Sequence, residues 1–348
     1  MLYKSENPHG GGVYGRTIKL DFSVNTNPLG TPPAAIRAVV ESAGLLCQYP
    51  DPGCGALVSA LAEREGVPEA CVLCGGGAAE LIFSYCLAVR PRRALELAPT
   101  FSEYAAALEA AGCQVERHPL RAEEGFAATD ALLEVLSETD WDAVFLCNPN
   151  NPTGQLLDPA LLEEVLRLCR RRGLRLFVDE CFLDLSDGWA NRSLKKYILE
   201  YNGIFILRAF TKTYGMAGLR LGYCLSGDGA LLSAMSRLTQ PWNVSLPAQA
   251  AGAAALGEET FLAEARALIG RERPRLGGEL EKLGFTVCPS QANYLLFWSP
   301  KDIFQPLLER GILIRDCSNY RGLGPGWYRA AVKLPEENRS FIQALGEI

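Results

Sequence analysis

The sequence predicts an α/β fold with a mainly parallel sheet and a smaller α+β lobe. Four short apolar runs, RALELA (93–98), AVFLC (143–147), LRLFVD (174–179) and IFILRA (204–209), show no polar alternation and are separated by helical patterns. Strands apolar on both faces belong to a sheet covered by helices on both sides, and their alternation with helices is the mark of parallel pairing. From about residue 246 the pattern changes to long helical stretches rich in Ala, Leu and Glu, followed by short strands. At 348 residues the chain can bury a sizeable core and fits one large domain plus a smaller one.

Taken in order, the segment before residue 40, with its Asn, Gly and Pro, is expected to pack on the small lobe. Residues 56–66 and 78–90 read as helices, 93–98 as a strand, 101–111 as a helix and 143–147 as a strand. Asp158 then caps a helix that opens with Pro159 and closes at Gly173. Strands at 174–179 and 204–209 follow, and the helical stretch beyond 246 is expected to break at Pro274. After Gly284 come a strand, a break at Pro289, the run ANYLLFW (292–298), a helix near 301–310 and GILIR (311–315). The expected division is an N-terminal segment 1–40, a large domain 41–265 and a small domain 266–348.

Composition narrows the function. The net charge is −6, and no basic block extends beyond Arg170, Arg171 and Arg172, so nucleic acid is not an expected partner. MLYKSENPHGGG lacks an apolar leader core, and no uncharged apolar stretch reaches about 18 residues, so no membrane insertion is expected and the cytoplasm is the expected location. Most of the twelve cysteines lie in apolar runs (Cys86, Cys113, Cys147, Cys224), which suits reduced, buried thiols. Cys71 and Cys74 form a C-x-x-C without a second pair, and with two histidines in the chain no metal is expected.

The chemistry gathers at three strand ends and a glycine loop. Lys212, in AFTKTYGMAGLRLGY (209–223), follows a buried strand between Thr211 and Thr213. A buried lysine is costly as a cation and useful as a nucleophilic amine that joins an aldehyde. Arg220 lies between apolar residues in GLRLGY, where a phosphate is its inferred partner. Asp179 ends its strand on the side of the sheet where α/β proteins place ligands, and a carboxylate there can hold a pyridine nitrogen protonated. NPNNPTG (148–154) presents Asn151 on a tight turn, and CGGGAAELIF (74–83) sets three glycines before a helix start that can cradle a phosphate. Phe101, in APTFSEY, could lie against a ring. Singly, each has an ordinary reading: a surface lysine, a capping aspartate, a turn, a core aromatic.

Together these residues resemble the fold-type I pyridoxal-phosphate enzymes, the aspartate-aminotransferase-like superfamily, over nearly the whole chain. The resemblance implies a seven-stranded type of sheet in a large cofactor domain, with Lys212 as the Schiff-base lysine. It places Asp179 at the pyridine nitrogen, Asn151 at the phenolic oxygen and Phe101 on the ring, with Gly77, Ala78, Ala79, Thr211 and Arg220 around the phosphate.

Within the superfamily, YPDPGCGALVSAL (49–61) is similar to the branch that holds histidinol-phosphate aminotransferases and threonine-phosphate decarboxylases. By that likeness Tyr49 reaches the cofactor phosphate of a neighbouring subunit, implying a homodimer. HGGGVY (9–14), DFSVNTNPLG (21–30) and IRDCSNYRGLGPGWYRAAV (314–332) resemble the decarboxylases more. This implies loss of CO₂ from L-threonine O-3-phosphate in cobalamin biosynthesis, with an aminotransferase as the alternative. His9, Gly10, Asn25, Asn151, Arg315 and Arg329 would then meet the phosphorylated amino-acid substrate, Arg329 taking its carboxylate. Three positions depart from the pattern: Phe182 replaces a frequent tyrosine, Gly12 an asparagine and Thr211 a serine. A ligand-sensing regulator on this fold is expected to carry a basic DNA-binding domain in front, whereas here the fold begins almost at Met1.

Overall fold

The computed structural model describes residues 9–348. After a two-residue strand, β1 (Leu20–Asp21), the chain builds a seven-stranded sheet. Its strands are β2 (Val72–Gly75), β3 (Arg93–Ala98), β4 (Gln114–Pro119), β5 (Ala143–Cys147), β6 (Arg175–Asp179), β7 (Ile204–Ala209) and β8 (Gly222–Leu225). The order across the sheet is β2-β8-β7-β6-β5-β3-β4, with β8 antiparallel to both neighbours and every other pair parallel.

The four apolar runs of the sequence are the four contiguous central strands. Along each, successive side chains enter different cores, as the period of two demands. Val144, Leu146, Leu176, Val178, Ile204 and Ile206 join one cluster, while Phe145, Phe177, Phe205 and Leu207 join the other. On the second face Phe145 stacks on Phe177 at 4.5 Å and Phe177 on Phe205 at 5.0 Å. Burying each such ring stabilises the fold by about 1.5–3 kcal/mol, so one register satisfies both faces. The sequence did not announce β2, β4 and β8: β2 and β8 hold only four residues each, and β4, QVERHP, is a polar edge strand.

Helix ends follow the expected chemistry. Asp158 accepts from the N–H of Ala160 at 2.8 Å and of Leu161 at 3.2 Å, and the helix Pro159–Arg172 stops at Gly173, where φ is 69°. Such a cap contributes about 1 kcal/mol. The expected break at Pro274 does not occur: one helix spans Glu259–Lys282 with Pro274 inside it. An internal proline costs about 3 kcal/mol. Leu268, Ile269, Leu276 and Leu280 are all buried on either side of it, and at about 1.5–3 kcal/mol each they hold both halves in line.

The chain then forms β9 (Thr286–Val287), β10 (Tyr294–Trp298), β11 (Ile312–Leu313), β12 (Arg315–Asp316) and β13 (Trp327–Ala331). Four of these make an antiparallel sheet in the order β12-β13-β10-β9, and β11 pairs parallel with β1. Phe22 is fully buried in a separate core beside this sheet, stacked on Phe341 at 4.6 Å. The N-terminal segment is thus tied into the smaller sheet by backbone bonds and by an aromatic ring. All twelve cysteines are free thiols, eleven of them buried. No helix among the described residues is long and apolar enough to cross a membrane.

Candidate active site

Parallel strands bring their carboxyl ends to one edge, and here β5, β6 and β7 end side by side, with Cys147 in register with Asp179 and Asp179 with Leu207. Past β7 the chain makes one helical turn, Phe210–Thr213, that carries Thr211 and Lys212. Asn27 pins this turn from outside: its N–H donates to the Lys212 carbonyl at 3.0 Å and its Nδ2 to the Thr213 carbonyl at 2.9 Å. Lys212 faces a cleft of about 230 Å³ whose floor also includes Asp179, Ala78, Ala79, Thr211 and Arg220. Burial lowers the lysine to about 8, helped by the positive charge of Arg329. An amine so placed is a usable nucleophile and base near neutral pH.

Asp179 is buried, and both carboxylate oxygens are held. The Tyr104 hydroxyl donates to Oδ2 at 2.6 Å and the Cys181 N–H to Oδ1 at 2.9 Å. Burial pushes the carboxyl up, while the Cys181 and Tyr104 donors and the Lys212 charge pull it down. A buried carboxylate of this kind is completed by a cationic partner. Across the floor, the helix Ala78–Val89 starts from Gly77, whose φ of 101° suits glycine. A Cβ on Gly77 would lie 2.7 Å from the Arg220 guanidinium. Glu80 steadies the loop by accepting from the Gly76 N–H at 2.6 Å. Free N–H groups of the first turn, the helix dipole and Arg220 make this end suited to an anion.

The roof comes from the smaller sheet and the N-terminal segment. Arg315 on β12 and Arg329 on β13 are direct cross-strand partners, and both line the cleft. Like charges set opposite each other destabilise a sheet pair, so the arrangement suits anionic groups between them. Arg329 is buried and donates through Nη2 to the Ser23 carbonyl at 2.9 Å and through Nη1 to Asn151 Oδ1. Asn25, with its amide oxygen turned to Arg329, accepts from Nε at 3.1 Å. The Arg315 Nη2 donates to Asn319 Oδ1 at 2.7 Å, and its guanidinium lies 5.2 Å from the Tyr320 ring. His9 Nε2 pairs with Glu103 at 2.7 Å, and its ring sits 5.6 Å from Phe101. Gly10 passes so close to Ser23 that a Cβ would lie 2.3 Å from the Ser23 carbonyl oxygen.

The chain matches the aminotransferase class I and II family over residues 17–345. A threonine-phosphate decarboxylase of Salmonella typhimurium is 37% identical over 94% of this chain and 91% of its own length. A histidinol-phosphate aminotransferase of Methanosarcina mazei is 34% identical, over 92% and 85%. Among solved structures, the histidinol-phosphate aminotransferase from Clostridium acetobutylicum superposes with a TM-score of 0.87 at 28% identity, covering 94% of this chain and 98% of that one. The chain belongs to the aminotransferase class I and II family. The expected aspartate-aminotransferase-like α/β fold is therefore its fold, and its cofactor is pyridoxal 5′-phosphate.

The residues present fit that cofactor: an amine lowered by desolvation, a buried carboxylate held by two hydrogen-bond donors, and a helix start beside an arginine share one cleft with Phe101. Of the site residues expected from sequence, Lys212, Asp179, Asn151, Ala78, Ala79, Thr211, Arg220, Phe101, His9, Gly10, Asn25, Arg315 and Arg329 all line it. Gly77 stands immediately behind Ala78. Tyr49 is elsewhere, 76% exposed and stacked on Trp242 at 4.4 Å.

The reasoning for Arg220 needs correction. It is solvent-exposed rather than buried among its apolar neighbours: Leu221 enters the core, while Arg220, on the loop before β8, lines the open cleft. Phe182 lies on the cleft wall with its ring centroid 5.6 Å from Lys212 Nζ. At Gly12 a Cβ meets nothing within 4 Å, so the space for a larger side chain exists. Sequence reasoning missed Tyr104, Tyr320 and Ser23, which line the cleft, and Tyr294, whose ring lies 5.5 Å from the Arg329 guanidinium and whose hydroxyl donates to the Asn150 carbonyl at 2.8 Å. Tyr104 stands three residues after Phe101 in APTFSEY, but nothing local showed that its hydroxyl meets Asp179.

Proposed function

We propose that this enzyme decarboxylates L-threonine O-3-phosphate to (R)-1-aminopropan-2-yl phosphate and CO₂, a step of cobalamin biosynthesis. The observation that carries the reading is the opposed pair Arg315 and Arg329 on one face of the roof. Two arginines in cross-strand register that both line one cleft suit one small molecule with two anionic groups, a carboxylate and a phosphate. The likeness of HGGGVY and of residues 314–332 to threonine-phosphate decarboxylases supports the same substrate.

Pyridoxal phosphate, when bound, supplies the electron sink for the bond broken at the substrate's α-carbon. The chain decides which bond that is by orienting the substrate. Arg329, fixed by Ser23, Asn25 and Asn151, grips the carboxylate, and Arg315 with His9 serves the phosphate. With its Oδ1 taken by Arg329, Asn151 would offer Nδ2 to the cofactor's phenolic oxygen. Asp179 would pair with the ring nitrogen and Phe101 would meet the ring, with Gly77, Ala78, Ala79, Thr211 and Arg220 around the phosphate. Lys212, its amine lowered to about 8 by desolvation in the cleft, would return a proton to the α-carbon when CO₂ leaves.

The functional unit is proposed to be a homodimer. Val40, Leu46, Tyr49 and Trp242 are 68%, 65%, 76% and 46% exposed, an apolar surface suited to a second copy that would receive Tyr49 at its cofactor phosphate.

The test supplies threonine phosphate alone and follows CO₂, then histidinol phosphate with 2-oxoglutarate and follows glutamate. CO₂ release is expected in the first. Glutamate without CO₂ would make the enzyme an aminotransferase, the reading favoured by the 34% identical relative and the 0.87 superposition.

A further inference from the structure

We infer that Tyr104 is a positioning residue, whose hydroxyl holds the Asp179 carboxylate in place and in anionic form for the protonated ring nitrogen of the cofactor. The inference deepens the proposed reading of Asp179 and rests on it. Tyr104 begins from the first turn of the helix Glu103–Ala110 and is wholly enclosed. Its ring meets Phe101 edge-on at 5.6 Å and packs at 6.0 Å from Phe145 and 5.9 Å from Phe177. Those rings belong to β5, β6 and the segment after β3, so the floor of the site itself aims the hydroxyl. It donates to Asp179 Oδ2 at 2.6 Å, the length of a hydrogen bond to a charged oxygen.

The groups that bear on Asp179 are Tyr104, Cys181 and Lys212, with Cys147 acting on Tyr104 and with Arg220 and Arg329 acting on Lys212. The Cys147 thiol is directed to the Pro149 carbonyl at 3.3 Å. The Cys181 contribution includes a backbone N–H that no side-chain change removes. Burial and the neighbouring Asp179 charge push the phenol well up, so it stays a donor across the working range of pH. Burial also pushes Asp179 up. Without the hydroxyl, the carboxylate loses a donor that favours its charged form, and it becomes a weaker partner for a cation.

The experiment combines Tyr104→Phe, Asp179→Asn and the double variant. Two quantities are read: the affinity of each apo-protein for pyridoxal phosphate, and the ¹⁵N chemical shift of ring-labelled cofactor, which separates protonated from neutral nitrogen. Tyr104→Phe is expected to weaken binding by roughly tenfold, the scale of one hydrogen bond to a charged group, and to move the nitrogen signal toward the neutral value. In the Asp179→Asn background the same change should have no further effect. An unchanged signal in Tyr104→Phe, or an equal loss in both backgrounds, would overturn the inference while leaving Asp179 in its role. An unchanged signal in Asp179→Asn alone would instead remove the reading on which it rests. 3-Fluorotyrosine at position 104 keeps the shape and strengthens the donor. It is expected to shift the signal the opposite way, and no shift would count against the hydroxyl.

Discussion

The floor and the roof of the cleft are built differently. The floor stands on the ends of three adjacent parallel strands and one helix start, and its side chains are steadied by neighbours in the same domain: Asp179 by Tyr104 and Cys181, Gly76 by Glu80. The roof is built from the two-residue β12, the five-residue β13 and an N-terminal segment, and its key contacts join residues hundreds of positions apart, such as Arg329 with Ser23. Groups at the ends of adjacent strands in one large sheet can hold a cofactor in one geometry, whereas groups held by loops and distant segments can be re-aimed with little loss of fold. On the proposed reading, the floor sets the cofactor chemistry and the roof sets which α-carbon bond is presented to it.

The largest test of this division is Lys212→Ala. It should lower turnover by roughly 10⁴-fold, whichever substrate is used, while circular dichroism shows the fold intact. The same variant tests burial in the apo-protein. Lys212 titrates at about 8 when folded against an ordinary 10.5, so stability should rise with pH between those values, and denaturant titrations should lose that rise in Lys212→Ala. Below about 8 the amine is charged in both states and the penalty of burying it stands in full.

Arg329→Lys attacks the roof while keeping the positive charge that acts on Lys212. Loss of the planar, paired guanidinium should reduce kcat/KM by roughly 10²-fold with cofactor affinity nearly unchanged, measured by steady-state kinetics and apo-protein reconstitution. An equal loss of cofactor binding would break the separation of floor from roof. Phe182→Tyr adds a hydroxyl on the wall beside Lys212, and it should shift the pH midpoint of the bound chromophore by less than about one unit. His9→Ala removes a partly exposed pair with Glu103 and should change KM by no more than about fivefold, the scale of a surface ion pair.

The central strands and the floor were legible because their signals are local. A run such as LRLFVD states its burial on both faces and ends on the acid it delivers, and Lys212 lies within five residues of Leu207 at the same sheet edge. Asp158, Pro159 and Gly173 likewise announce a helix, since its end groups must be satisfied within a few residues. Pro274 shows the limit: a local rule predicted a break, and burial of the flanking leucines and isoleucine overrode it. β2, β4 and β8 were silent because short or edge strands need no apolar run.

The sequence by itself determined the α/β order of elements and put Asp179 and Lys212 at the ends of adjacent strands, because spacing along a strand fixes where its end residues go. Only the tertiary structure decided that Tyr104 faces Asp179, that Arg220 is exposed, and that Arg315 and Arg329 stand opposite one another. Those facts depend on packing between segments far apart in the chain, where register and burial, rather than any local motif, choose each side chain's partner.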